Sequence, residues 1–132
     1  MAAKLTKDAL PPAEKWFLGL LAGAYLALFL TILLLAYTNR LPSFLGEIPY
    51  YDKIGHVVLY AVPTYLGHRL CRYRQIVCWV PLFPALFALF TVTEELGQSL
   101  SPYRTLDPTD LIASFIGIAV GWQLAERSRY RP

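Results

Sequence analysis

The chain has 132 residues, 56% of them hydrophobic, and a formal net charge of +3, an apolar share above the roughly 45 to 50% of ordinary globular domains. A single membrane unit is the expected class, and nucleic acid is excluded as a partner because the basic residues form short clusters beside apolar segments with no RNA- or DNA-binding motif around them. Cys71 and Cys78, seven positions apart around a basic stretch, match no zinc or redox spacing and read as free packing thiols.

Residues 1–15 form a polar, proline-containing tail, and residues 16–37 then carry no charge. At about 1.5 Å per residue that run crosses a hydrocarbon layer of roughly 30 Å. It is longer than a signal-peptide core and no small-residue cleavage site follows it, so it reads as a retained span. Residues 38–52 break the pattern as a loop. The next apolar stretch, 54–70, is shorter and carries His56, Pro63 and His68, so a span there needs shelter from neighbouring helices. A basic turn over 69–75 leads into 76–93, where Pro81 and Pro84 predict a kink or a late helix start. Residues 94–109 are polar and end in Asp107-Pro108-Thr109-Asp110, which reads as an N-cap, proline at the first helical position and an acid two places later. A fourth helix is therefore predicted to about Ala125. Its Gly117 and Gly121 form a GxxxG face for close helix approach, a spacing that Gly19 and Gly23 repeat in the first span.

The predicted fold class is all-α: an integral membrane four-helix bundle over residues 16–125, followed by a basic cytoplasmic tail at 126–132. On that arrangement Lys4, Lys7, Lys15, Arg69, Arg72, Arg74, Arg127, Arg129 and Arg131 fall on one side, leaving Arg40, Lys53 and Arg104 opposite. Positive charge marks the cytoplasmic side, so both termini are expected there. The expected location is the cell membrane, multi-pass, with the polar cluster on the extracytoplasmic side and membrane lipids as neighbours.

That cluster comprises Asp52, His56, Glu95, Gln98, Arg104 and Asp110, at the ends of the apolar segments. A charged group at a helix centre costs roughly 2.5 to 3.5 kcal/mol on insertion scales, so such groups persist where they face protein, water or a ligand. Asp52, His56 and Tyr60 recur every four residues on one helix face. A carboxylate one turn from a histidine can orient the imidazole and raise its basicity; the structural alternative is a helix cap at Asp52 and one interhelical hydrogen bond at His56. Glu95 and Gln98 share a face, and Glu94 beside them reads as a solvated helix end. Arg104 can clamp a carboxylate or phosphate with parallel hydrogen bonds, or simply neutralise Asp110 or Glu95. Asp110 suits the first turn of a helix dipole, yet Asp110, Ser114, Gly117 and Gly121 also form a narrow face directed into the bundle.

Asp52, His56 and Glu95 are the candidate acid-base groups, and Gln98, Arg104, Asp110 and Tyr60 the candidate substrate-binding ones. No cofactor and no metal set is assigned: His56 with Asp52, Glu95 and Asp110 offers nitrogen and oxygen ligands, but a single histidine is a thin basis.

From about Tyr51 to Gly121 the chain resembles the VanZ-like membrane proteins. The resemblance lies in Asp52-Lys53-x-x-His56-x-x-x-Tyr60, then Glu94-Glu95-x-x-Gln98, then Arg104 with Asp110 six positions later, then Gly117 and Gly121. The family commonly has Asp-Glu where this chain has Glu94-Glu95, which keeps the charge, and asparagine where it has Ser114, which removes an amide able to donate and accept at once. The resemblance implies a multi-spanning envelope protein related to glycopeptide (teicoplanin) resistance, without a settled reaction. The functional expectation is an outward-facing site that binds or modifies a lipid-linked or cell-wall-related anionic molecule. The alternatives are a non-enzymatic scaffold whose polar network is structural, and, more weakly, an ion pathway.

Overall fold

The computed structural model describes residues 10–130. The tail residues 1–9 and 131–132 lie outside the described residues, so the expectations for Lys4, Lys7 and Arg131 do too. The all-helical expectation is met by four α-helices: α1 (Pro12–Tyr37), α2 (Tyr51–Leu70), α3 (Leu82–Gln98) and α4 (Pro108–Arg129). A 3-10 turn at Ser43–Glu47 follows α1, and a small antiparallel hairpin, β1 (Gln75–Val77) and β2 (Val80–Pro81), precedes α3.

Local chemistry sets these boundaries. Pro12 opens α1 at the first helical position, where its missing N–H costs nothing. At the other end Asn39 takes a left-handed conformation while Asn39 N and Arg40 N bond back to Ala36 O and Leu35 O. That double bond is a Schellman stop, and asparagine tolerates it. Arg72 ends α2 in the same way, with Arg72 N on Arg69 O and Tyr73 N on His68 O. Asp107 caps α4 as expected, accepting from Thr109 N at 2.8 Å, with Pro108 following it.

The run at 76–93 starts its helix late, as its prolines predict: Pro81, which lacks an N–H, becomes the residue before α3, while the β-branched residues ahead of it pair as a hairpin that was not expected. α3 carries Glu94, Glu95 and Gln98 on its last turns. One boundary needs correction: α2 starts at Tyr51 rather than Ile54, taking Asp52 and Lys53 into its first turn.

Cross-helix contacts give the directions. Glu14 pairs with Arg69, Tyr37 donates to Glu94 O at 3.2 Å, and His68 Nε2 lies 2.8 Å from Glu126 Oε1. Successive helices therefore alternate in direction, α2 and α4 run parallel, and the described chain ends share one end of the molecule. We call that the basic end, and the other, holding Asp52, Glu95 and Asp110, the polar end. The core cluster is Phe29, Tyr60 and Ile118, with the Phe29 and Tyr60 rings edge to face at 5.5 Å.

The tightest seam joins α2 to α4. A Cβ on Gly117 would stand 2.4 Å from Val57 O, and one on Gly121 would stand 2.2 Å from Ala61 O. Only glycine permits that approach, so the expectation for this GxxxG face holds. Gly19 and Gly23 have the same spacing and meet nothing within 4 Å.

By length and composition, α1 and α4 could each cross a membrane. α1 is apolar yet almost wholly uncovered, with Trp16, Leu20 and Leu34 all exposed and only Leu18 and Phe29 buried. Phe29, Tyr25 and Leu33 pack on the core, while much of the rest of its apolar surface stays uncovered. Both cysteines are free thiols, as read from the sequence.

Candidate functional site

The polar end holds two linked strings of side chains. The first runs across α2, α3 and the loop after α3. Tyr60 donates its hydroxyl to Glu94 Oε2 at 3.2 Å, Gln98 donates its amide N–H to Glu94 Oε1, and Arg104 donates Nε–H and Nη2–H to Gln98 Oε1 at 3.1 and 3.0 Å. Glu94, expected to be solvated, is instead buried and accepts from two side chains. Gln98 lies one full turn from Glu94 and belongs to it rather than to Glu95.

The second string joins α2 to α4. His56 Nδ1 lies 2.9 Å from Ser114 Oγ, and His56 Nε2 faces Asp52 Oδ1 at 3.9 Å and Asp110 Oδ2 at 3.8 Å. The other oxygens of these acids face Lys53, whose ammonium bonds Asp110 and Asp107 (2.8 Å to Asp107 Oδ2) and lies 3.6 Å from Asp52 Oδ2. Glu95, buried, takes the backbone N–H of Asp107 at 3.2 Å. The near-parallel His56 and Tyr60 rings, centroids 6.0 Å apart, join the strings.

All seven candidate residues therefore lie at the polar end, but their partners differ from those expected. Arg104 neutralises neither Asp110 nor Glu95: among the described residues it forms no ion pair, and Gln98 holds it while other N–H donors are left over. Asp110 is the most shared acid, serving Lys53 and facing His56. Lys53, quoted in the family motif, was given no role at the site, because a lysine at the outer end of a helix passes for a topology mark. Its signal was local, since it follows Asp52 and lies three residues before His56.

Electrostatics bind the helix start to Lys53. The Asp107 carboxyl is held well below the usual carboxylate range, chiefly by the hydrogen bond from Lys53 and then by Thr109. Chemically, the end offers a buried acid in Glu95, an imidazole between two carboxylates, and a guanidinium with donors to spare. Asp52, His56 and Asp110 also bring three potential metal-ligand atoms within 4.8 Å of one another.

A second feature adjoins it. A cavity of about 530 Å³ opens between α1, α2 and α3, lined by apolar side chains including Leu26, Phe29, Leu66, Phe83, Phe87 and Phe90. Phe29 and Phe87 both pack on Tyr60, at centroid distances of 5.5 and 5.3 Å, so this tyrosine stands between the apolar groove and the polar strings.

No family model, curated protein or solved structure matches the chain. The site must be read from its own geometry.

Proposed function

We propose that the chain is a VanZ-like integral membrane protein that crosses the cell membrane four times with both ends in the cytoplasm. On this reading its polar end faces the extracytoplasmic side and binds an anionic group of a lipid-linked or cell-wall-related molecule. The observation that carries the proposal is Arg104, held by Gln98 with donors to spare, at the same end of the molecule as buried Glu95 and His56 and at one end of helices whose flanks are apolar and exposed. Guanidinium groups with free donors suit phosphate and carboxylate oxygens. In α2 the uncovered Ile54 and Val58, and in α3 the uncovered Leu86, Leu89 and Phe90, support further membrane passages beside α1 and α4. α2, at 20 residues, reaches about 30 Å, and α3, at 17, is at the short limit for a span. Among the described basic residues Lys15, Arg69, Arg72, Arg74, Arg127 and Arg129 belong to the basic end, against Arg40, Lys53 and Arg104 at the polar end, which favours a cytoplasmic basic end. The groove suits the hydrocarbon chain of an amphiphile whose head group reaches Arg104.

The test is teicoplanin susceptibility of cells making wild-type protein, Glu95→Gln or His56→Ala, with membrane accumulation measured in parallel. Both substitutions are expected to abolish the reduced susceptibility while protein levels hold. Normal function from both stable variants rejects the proposal. The scaffold reading draws on one observation, the mutual satisfaction of Tyr60, Glu94 and Gln98. It predicts that Asp52→Asn, Glu95→Gln and Arg104→Ala each misfold in detergent.

A further inference from the structure

We propose that Asp52, His56 and Asp110 form a binding site for one divalent transition-metal ion of the zinc type. His56 lies 3.9 Å from Asp52 Oδ1 and 3.8 Å from Asp110 Oδ2 through the same nitrogen, Nε2. Those separations are too long for hydrogen bonds. An ion can bridge them: with bonds of about 2.0 to 2.2 Å, ligand atoms around one tetrahedral ion stand roughly 3.3 to 3.6 Å apart and never more than about 4.4 Å, so a small closing movement suffices. All three ligand atoms fall within 4.8 Å of one another. Asp52, the most exposed of the three carboxylate and imidazole groups, has the freedom to close the remaining distance by turning its side chain.

The back of the imidazole is a second, separate observation. His56 is nine-tenths buried, and its Nδ1 lies on Ser114 Oγ at 2.9 Å. The contact holds the ring with Nε2 toward the two acids, and an ion on Nε2 would leave the proton on Nδ1 to donate to Ser114 Oγ. Histidine metal ligands are oriented in this way, by a hydrogen bond on the nitrogen that does not bind the ion. Among the described residues Nε2 makes no hydrogen bond of its own.

Charge balance points the same way. Asp52, Asp107 and Asp110 set three carboxylates against the single ammonium of Lys53, a formal balance of −2. Lys53 uses the carboxylate oxygens turned away from His56, which leaves one oxygen of Asp52 and one of Asp110 toward the imidazole. A divalent ion cancels the remaining charge. One nitrogen and two oxygen ligands, without thiolate, suit zinc or manganese rather than copper(I). Three protein ligands leave a position for water or an anionic oxygen, the pattern of open rather than closed zinc sites. The inference goes beyond the functional reading above, since ion uptake by the purified protein requires neither its family, its topology nor its substrate.

The experiment uses the full chain in detergent micelles, in a Cys71→Ser, Cys78→Ser background that removes thiols as competing ligands. After chelator treatment it is titrated with zinc chloride against a chromophoric zinc indicator. One ion per chain is expected, with affinity falling at least 100-fold in His56→Ala and Asp110→Asn. Ser114→Ala, which loses the positioning bond, is expected to lose 10- to 100-fold, and Glu47→Gln on the exposed 3-10 turn to lose none. No uptake by the folded parent chain, or unchanged uptake in His56→Ala, overturns the proposal. Should the His56 and Asp110 variants fail to fold, nitrogen NMR of the chain's two histidines carries the test in the parent: zinc must shift His56 Nε2. A shift confined to His68, or none, overturns it.

Discussion

Lys53 and Asp107 meet from two distant stretches of chain. Asp107 is held below the ordinary carboxylate value of about 3.9, so its contribution to stability is complete above that pH and is lost as pH falls through the lower folded value. Asp107→Asn keeps a competent N-cap while removing the charge. It is expected to lower the thermal midpoint in detergent at pH 7, with the gap to wild type narrowing below about pH 4; a gap unchanged down to pH 3 refutes the ion-pair account. A second residue-scale expectation concerns Tyr60, whose hydroxyl is one of two side-chain donors to buried Glu94. Tyr60→Phe should cost about 1 to 3 kcal/mol of unfolding free energy, because a buried acceptor loses its partner. The sequence made Asp52, His56 and Asp110 legible through helical spacing and a strong cap signal. It ranked Glu94 wrongly, as a solvated helix end with Gln98 given to Glu95, because Gln98 is within helical reach of both and only the tertiary contact from Tyr60 turns Glu94 inward.

At the scale of elements, two glycine pairs with identical spacing behave differently. Gly117 and Gly121 lie against carbonyl oxygens of α2, which cannot swing aside as a side-chain tip can, whereas Gly19 and Gly23 face open space. Gly117→Ala or Gly121→Ala should force α2 and α4 apart at a cost of about 1 to 3 kcal/mol. Gly19→Ala should be neutral or stabilise by up to about 1 kcal/mol through helix propensity. Equal effects at the two sites in detergent unfolding would contradict the seam. Spacing announced both pairs, but only packing shows which has a neighbour. Helix starts followed the same logic: Asp107-Pro108 was readable because cap and proline act locally, while the hairpin at 75–81 was hidden because Ile76, Val77 and Val80 suit an apolar helix as well as a strand.

On the scale of the whole molecule, alternating helix directions set the hairpin loop at Cys78 and the loop at Ser101 at opposite ends. If the protein crosses the membrane as proposed, Cys78, exposed in the structure, should react with a membrane-impermeant maleimide only after cells are permeabilised. In a Cys71→Ser, Cys78→Ser background, a cysteine introduced by Ser101→Cys should react in intact cells. The reverse pattern would invert the topology and place the polar end in the cytoplasm. The parallel pair α2 and α4 has a further property. His56 meets Ser114 and His68 meets Glu126, in both cases 58 positions apart. The two rods are thus matched residue for residue over three turns, clasped at top and bottom. Inserting one residue between His56 and His68 would rotate everything beyond it by about 100°, so one clasp could close only by releasing the other. Length between the clasps is therefore as constrained as the identity of the residues that form them.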